Sequence, residues 1–115
     1  MRRGDIYRAD LQPRSGSEQQ GKRPVIIISH DGFNQNPGWR SIIVIPVSTS
    51  AAQAKRGLTA VFLPQGIGNL AQDSVALCHQ ITTLDRAKLQ EKIGELSNED
   101  MKRVEQGLKA ATYLL

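Results

Sequence analysis

Two unbroken β-branched runs, residues 24–29 (PVIIIS) and 41–47 (SIIVIPV), most narrow what this chain can fold into. Val and Ile are stiff at χ1 and suit a pleated strand better than a helix. Neither run alternates apolar with polar residues, so each reads as a central strand covered on both faces. Pro46 has no amide to give to a ladder and is expected to end its strand or to mark a bulge.

Around these runs the chain reads as further short strands separated by turn formers. Residues 5–11 alternate as a half-buried strand does, and 58–63 and 74–78 are strand candidates, with 81–83 as a continuation of the last. Three intervening loops are longer than tight hairpins require: 13–22 (PRSGSEQQGK), 31–38 (DGFNQNPG) and 49–57 (TSAAQAKRG). Loops of that length in a compact domain are often functional. Residues 85–90 (DRAKLQ) read as a short helical turn. The C-terminus changes character: Ser97 followed by Asp100 resembles a capping box. Met101, Val104, Leu108, Ala111 and Leu115 then form one apolar stripe at helical spacing. The expected architecture is a small curved sheet or barrel, mainly β, with one terminal helix. At 115 residues it makes a single domain, 1–115.

Charge is unevenly spread. Nine Lys and Arg stand against four Asp and Glu up to residue 56, and six against seven thereafter, so the first half carries the positive field. That distribution suits a surface facing phosphates there, although it equally describes an ordinary basic protein. The five aromatic residues are too few for a broad base-stacking platform. Cys78 is the single cysteine, which excludes an internal disulfide and a cysteine metal cluster; in its apolar run it reads as a small buried hydrophobe. No stretch reaches the ~18 apolar residues of a membrane span, and the N-terminus lacks a signal-peptide core. The expectation is a cytoplasmic protein that needs neither metal nor cofactor.

Several site types are absent: a P-loop, a His-x-x-x-His pair and a Gly-x-Ser-x-Gly elbow. His30 and His79 are available as an acid–base pair, but no other pattern supports them and such histidines are more often structural. Glu18 and Arg23 straddle a glycine-bearing turn at the mouth of the strand that begins at Pro24. Arg23 suits a phosphodiester because its planar guanidinium donates two parallel hydrogen bonds and keeps its charge at any working pH. On these residues alone, a surface ion pair worth little explains them as well.

Four ordered elements add a more specific pattern: Arg3-Gly4-Asp5-Ile6-Tyr7; Gly16-Ser17-Glu18-Gln19 with Arg23-Pro24-Val25; Ile45-Pro46-Val47-Ser48-Thr49; and Asp73-Ser74-Val75-Ala76-Leu77 with Gln80-Ile81. Together they resemble the MazF/PemK family of toxin–antitoxin ribonucleases over essentially the whole chain. The resemblance implies an SH3-like β-barrel with helices (PemK/CcdB-like, α+β) that forms a homodimer. It also implies cleavage of single-stranded RNA at short preferred sequences and inhibition by an acidic antitoxin, with DNA reached only through that antitoxin. The family's catalytic arginine falls on Arg23 and its hydroxyl residue, usually threonine, on Ser48. The β-branch is thereby lost, and Thr49 is an adjacent candidate. Glu18 matches the family's acidic position.

Metal-free RNA cleavage can use the neighbouring 2′-OH as nucleophile, leaving a cyclic phosphate and a 5′-OH. On this scheme Arg23 stabilises the phosphorane and can supply the leaving-group proton, while Ser48 or Thr49 hydrogen-bonds a non-bridging oxygen. Glu18 is the candidate base, and an exposed glutamate is a weak one. Arg14, Lys22, Arg40, Lys55 and Arg56 are candidates to track phosphates, and Phe33, Asn34, Gln35 and Asn36 to contact base edges. The alternatives are a CcdB-like toxin that binds gyrase and cuts nothing, or a non-catalytic member that binds RNA or a partner; fold alone does not separate them.

Overall fold

The computed structural model of the chain describes residues 1–12, 16, 18, 19, 21–55 and 57–114. Its strands are β1 (Asp5–Asp10), β2 (Lys22–Ile27), β3 (Ser41–Ser48), β4 (Ala60–Leu63), β5 (Ser74–Leu77), β6 (Thr82–Asp85) and β7 (Leu89–Glu95). One-turn helices α1 (Asp31–Asn34) and α2 (Ala51–Ala54) sit in two of the long loops, and α3 (Asn98–Thr112) closes the chain. The protein is mainly antiparallel β with a C-terminal helix. Its sheet runs β4-β5-β3-β2-β1-β7, with β6 also paired to β3. Among the described residues β4 and β7 remain the two ends of that path, so its hydrogen bonding does not close into a barrel.

The two β-branched runs are the centre of the molecule, for the reason their composition gives. Alternate residues of β2 and β3 enter two separate cores. Ile26, Ile28, Ile45 and Val47 join Ile6, Leu63, Cys78, Met101 and Val104 in one. Val25, Ile27, Ile42 and Val44 join Ala9, Leu11 and Leu84 in the other. Strands buried on both faces have no polar side to alternate with.

Pro46 ends no strand; it lies inside β3, paired with Val25 of β2. The other edge of β3 explains why it is tolerated. There β6 pairs with residues up to Val44 and β5 only from Val47, so Pro46 falls in a gap between ladders. The gap has a cause in the sequence order: a 3-10 turn, Cys78–Gln80, is looped out between β5 and β6.

β7 was not expected. The stretch at 85–90 divides into a 3-10 turn at Arg86–Lys88 and the beginning of this strand. β7 is an end strand with mostly polar, half-exposed residues, so it shows little of the apolar pattern that marks a buried strand. The terminal helix forms as its cap predicts. Ser97 accepts a hydrogen bond from the Asp100 amide at 3.1 Å, and Met101, Val104 and Gly107 face inward. Leu115, the last residue of the expected stripe, lies outside the described residues. No described helix is long and apolar enough to cross a membrane.

Candidate active site

β2 begins where β3 ends. Val25 pairs with Pro46 and Ile27 with Val44. Continued by two residues, the same register sets Arg23 across from Ser48 on one face of the sheet. Opposed β-carbons in such a ladder stand about 5 Å apart, well within reach of an arginine side chain. β5 joins at the same end, Val75 opposite Ser48, bringing Asp73 and Ser74 beside Ser48 and Thr49. A cleft of about 210 Å³ is lined there by Ser48, Thr49, Ser50, Phe62, Asp73 and Ser74, among others.

The local chemistry is ordered by short-range hydrogen bonds. Ser48 is 3% exposed, and its Oγ accepts from the Ser50 amide at 3.1 Å. Ser50 in turn caps α2 through the Gln53 amide. Asp73 Oδ1 accepts from the Gln65 amide at 2.8 Å, bracing the β4–β5 connection. Thr49 is exposed. The 12–20 loop closes at its base through the Leu11 amide and Gly21 carbonyl, 2.9 Å apart. At Gln19 it is tied to the sheet, the Gln19 amide donating to Gln80 Oε1 at 2.9 Å. Glu18 is exposed next to that tie, and Arg23, half-buried, begins the strand the loop leads into.

The candidate set divides. Arg23, Ser48, Thr49 and Glu18 lie at one end of the β2–β3 pair, with exposed Lys22 opposite Asp10 on β1 and exposed Lys55 at the end of α2. Arg14 and Arg56 lie outside the described residues. Phe33, Asn34, Gln35, Asn36 and Arg40 belong to the connection between the end of β2 and the start of β3, at the opposite end of the ladder. Eight residues of strand put that loop roughly 20 Å from Ser48.

Within that remote loop Asn34 is buried and hydrogen-bonded to its own loop. It is 2% exposed, with Oδ1 accepting from Ser29 Oγ and Nδ2 donating to the Ser29 carbonyl and Asp31. The loop is held from below by Arg86, whose guanidinium donates to the carbonyls of Phe33, Asn34, Asn36 and Trp39. Phe33 stacks on Trp39 with ring centroids 4.5 Å apart. Arg40 is paired with Asp85 at 3.0 Å, and this hydrogen bond draws the Asp85 carboxyl below its usual value. His30 caps α1 by accepting from the Gly32 amide, a structural use, while His79 lies on the Cys78–Gln80 turn.

Sequence reasoning assigned no role to Gln80, Asp73 or Arg86. Gln80 bonds across 61 residues, too far to be read from spacing, and Asp73 braces a connection eight residues back. Arg86 sat in a stretch expected to be a helical turn. The Arg3-Gly4-Asp5 element proves architectural: Gly4 takes φ +96°, which favours glycine, and buried Asp5 accepts from the Arg2 amide at 2.9 Å. No group of three or more described His, Cys, Asp or Glu residues could hold a metal ion.

A family model described as the PemK-like, MazF-like toxin of type II toxin–antitoxin systems matches residues 2–112. The chain is 41% identical over 104 residues to an endoribonuclease MazF of Staphylococcus saprophyticus, covering 90% of this chain and 84% of that protein. Among solved structures, MazF of Deinococcus radiodurans superposes with a TM-score of 0.80 at 24% identity, covering 99% of this chain and 97% of that one. A mycobacterial endoribonuclease in complex with its cognate antitoxin gives a TM-score of 0.79 at 22% identity, covering 100% and 97%. The two structural likenesses speak to the fold.

Proposed function

The chain belongs to the PemK-like, MazF-like toxin family of type II toxin–antitoxin systems, and from that premise we propose that it is an endoribonuclease that cuts single-stranded RNA at preferred sequences without a metal ion. The β2–β3 register, with Val25 opposite Pro46, carries the proposal, because its continuation by two residues directs Arg23 toward Ser48. It offers a permanently charged fork and a hydroxyl donor to one phosphate, the two groups a phosphorane needs most. The nucleophile is the substrate's own 2′-OH, which makes DNA, lacking it, inert. Glu18, on the loop that leads into β2, is the proposed acceptor for the 2′-OH proton. A gyrase-binding toxin would have no use for this pairing. Cleavage of a defined RNA by the native chain and by Arg23→Ala, with the variant's fold verified by circular dichroism, tests the proposal. A folded Arg23→Ala protein that still cuts at the native rate rejects it.

The same reading includes a cytoplasmic homodimer restrained by an acidic antitoxin. Support for the dimer is local. Leu58, Phe62, Tyr113 and Leu114 are exposed along a cleft of about 800 Å³ between β4 and the end of α3. Contiguous apolar surface of this kind usually marks an association site. Arg103 donates to the Phe62 carbonyl at 2.6 Å, so part of the β4 edge is already occupied. The curled sheet is read as an SH3-like barrel in open form. Lys22 and Lys55 face the phosphates next to the reacting one.

A further inference from the structure

β5 and β6 pair with the same edge of β3, yet not in one continuous register. Val75 stands opposite Ser48, whereas Thr82 stands opposite Val44. Four residues of β3 are thus matched by seven on the other side. The excess of three is the 3-10 turn Cys78–Gln80. Extra residues of this kind re-aim side chains and recur beside active sites. Here the insertion separates β5 from β6 and leaves Ile45 and Pro46 without ladder partners on that edge of β3, while both stay paired with β2.

The three residues of the turn go to different places. Cys78 is buried against α3, its thiol 3.5 Å from the Val104 carbonyl. His79 is exposed. Gln80 is half-buried, and its Oε1 accepts from the Gln19 amide at 2.9 Å, across 61 residues of sequence. That amide belongs to the residue following Glu18, three positions before Lys22 and four before Arg23.

We propose that Gln80 is a positioning residue for RNA cleavage: the looped-out turn between β5 and β6 serves to hold Gln80 against the Gln19 amide, setting the loop that carries Glu18 relative to Arg23 and Ser48. This rests on the nuclease reading given above. The loop is closed at its base by the Leu11–Gly21 bond. The Gln80 bond adds a tie at residue 19, next to Glu18, from the turn between β5 and β6. Small displacements of a reacting group cost large factors in rate, so the effect falls on kcat, while phosphate contacts made elsewhere keep KM nearly unchanged.

The test uses the full chain in three forms: native, Gln80→Met, which keeps length but removes the acceptor, and Gln80→Glu, which keeps an acceptor oxygen. Two readouts are taken together, steady-state cleavage of a defined RNA and hydrogen exchange at the Gln19 amide. The expected result for Gln80→Met is faster exchange at Gln19 and a kcat lowered about tenfold or more, with KM within about twofold. Gln80→Glu restores both the protection and most of the rate. Gln80→Ala is the second variant should Gln80→Met fail to fold. Loss of Gln19 protection with native kcat overturns the positioning role while leaving the nuclease intact. Unchanged Gln19 protection in Gln80→Met and Gln80→Ala overturns the bond itself. A native chain that cuts no RNA overturns the function instead, and the exchange data then report the bond alone.

Discussion

The Ser48 hydroxyl accepts a hydrogen bond from the Ser50 amide at 3.1 Å. A threonine would have its rotamer restrained by the β-branch; serine here gains the restraint from a backbone amide two residues on. The bond uses a lone pair and leaves the hydroxyl proton to donate. Thr49, the neighbouring hydroxyl, is exposed.

Ser48→Ala is therefore expected to lower kcat about a hundredfold, the scale of one lost oxyanion donor. Thr49→Ala is expected to change it less than about threefold. Single-turnover cleavage of one RNA by both variants decides the matter; the reverse ranking would make Thr49 the working hydroxyl.

Gly94 permits a backbone contact that no other residue allows. A β-carbon there would lie 2.2 Å from the Gly68 carbonyl oxygen. Since both partners are main chain, the clash cannot be relieved by a rotamer change. Gly94→Ala is expected to destabilise the fold by about 3 kcal/mol, measured as a lower urea midpoint at unchanged m-value.

Burial raises the Cys78 thiol from its ordinary value near 9 to about 11. Its protonated form is favoured by folding, so the associated stability is complete below pH 9 and is lost as pH climbs through 11. At pH 8 the native thiol is expected to resist an alkylating reagent that labels the urea-unfolded chain at once. Rapid labelling of folded protein would contradict its burial.

The β4–α3 cleft is covered by a second copy in the proposed dimer. Leu58→Lys with Tyr113→Lys places two charges on side chains that are each 85% exposed in the single chain. Surface changes of that sort leave a monomer's fold intact, so sedimentation should shift from dimer to monomer with circular dichroism unchanged. A native chain that sediments as a monomer would contradict the assignment of this face.

The central strands, the cap at Ser97 and the mainly β class were all readable, because each is a local consequence of side-chain shape. β7 was not, since an end strand with charged residues lacks the pattern that burial imposes. Arg23 and Ser48 stand out individually in the sequence; that the β2–β3 register directs one toward the other is visible only once Val25 pairs with Pro46. Phe33, Gln35, Asn36 and Arg40 are loop residues with RNA-contacting chemistry, yet they lie at the other end of β3 from Ser48. Loops at opposite ends of a strand look alike in sequence, and only the strand between them separates their positions. Gln80 and Arg86 act through hydrogen bonds over 50 or more residues, which no spacing rule captures.

The most direct measurement is incubation of the purified chain, in excess EDTA, with a long single-stranded RNA and with its DNA counterpart. Discrete RNA fragments ending in cyclic phosphate and 5′-OH, intact DNA, and no fragments from Arg23→Ala are expected. RNA left whole by the folded, antitoxin-free chain in EDTA, or cut equally by Arg23→Ala, would contradict the proposed function.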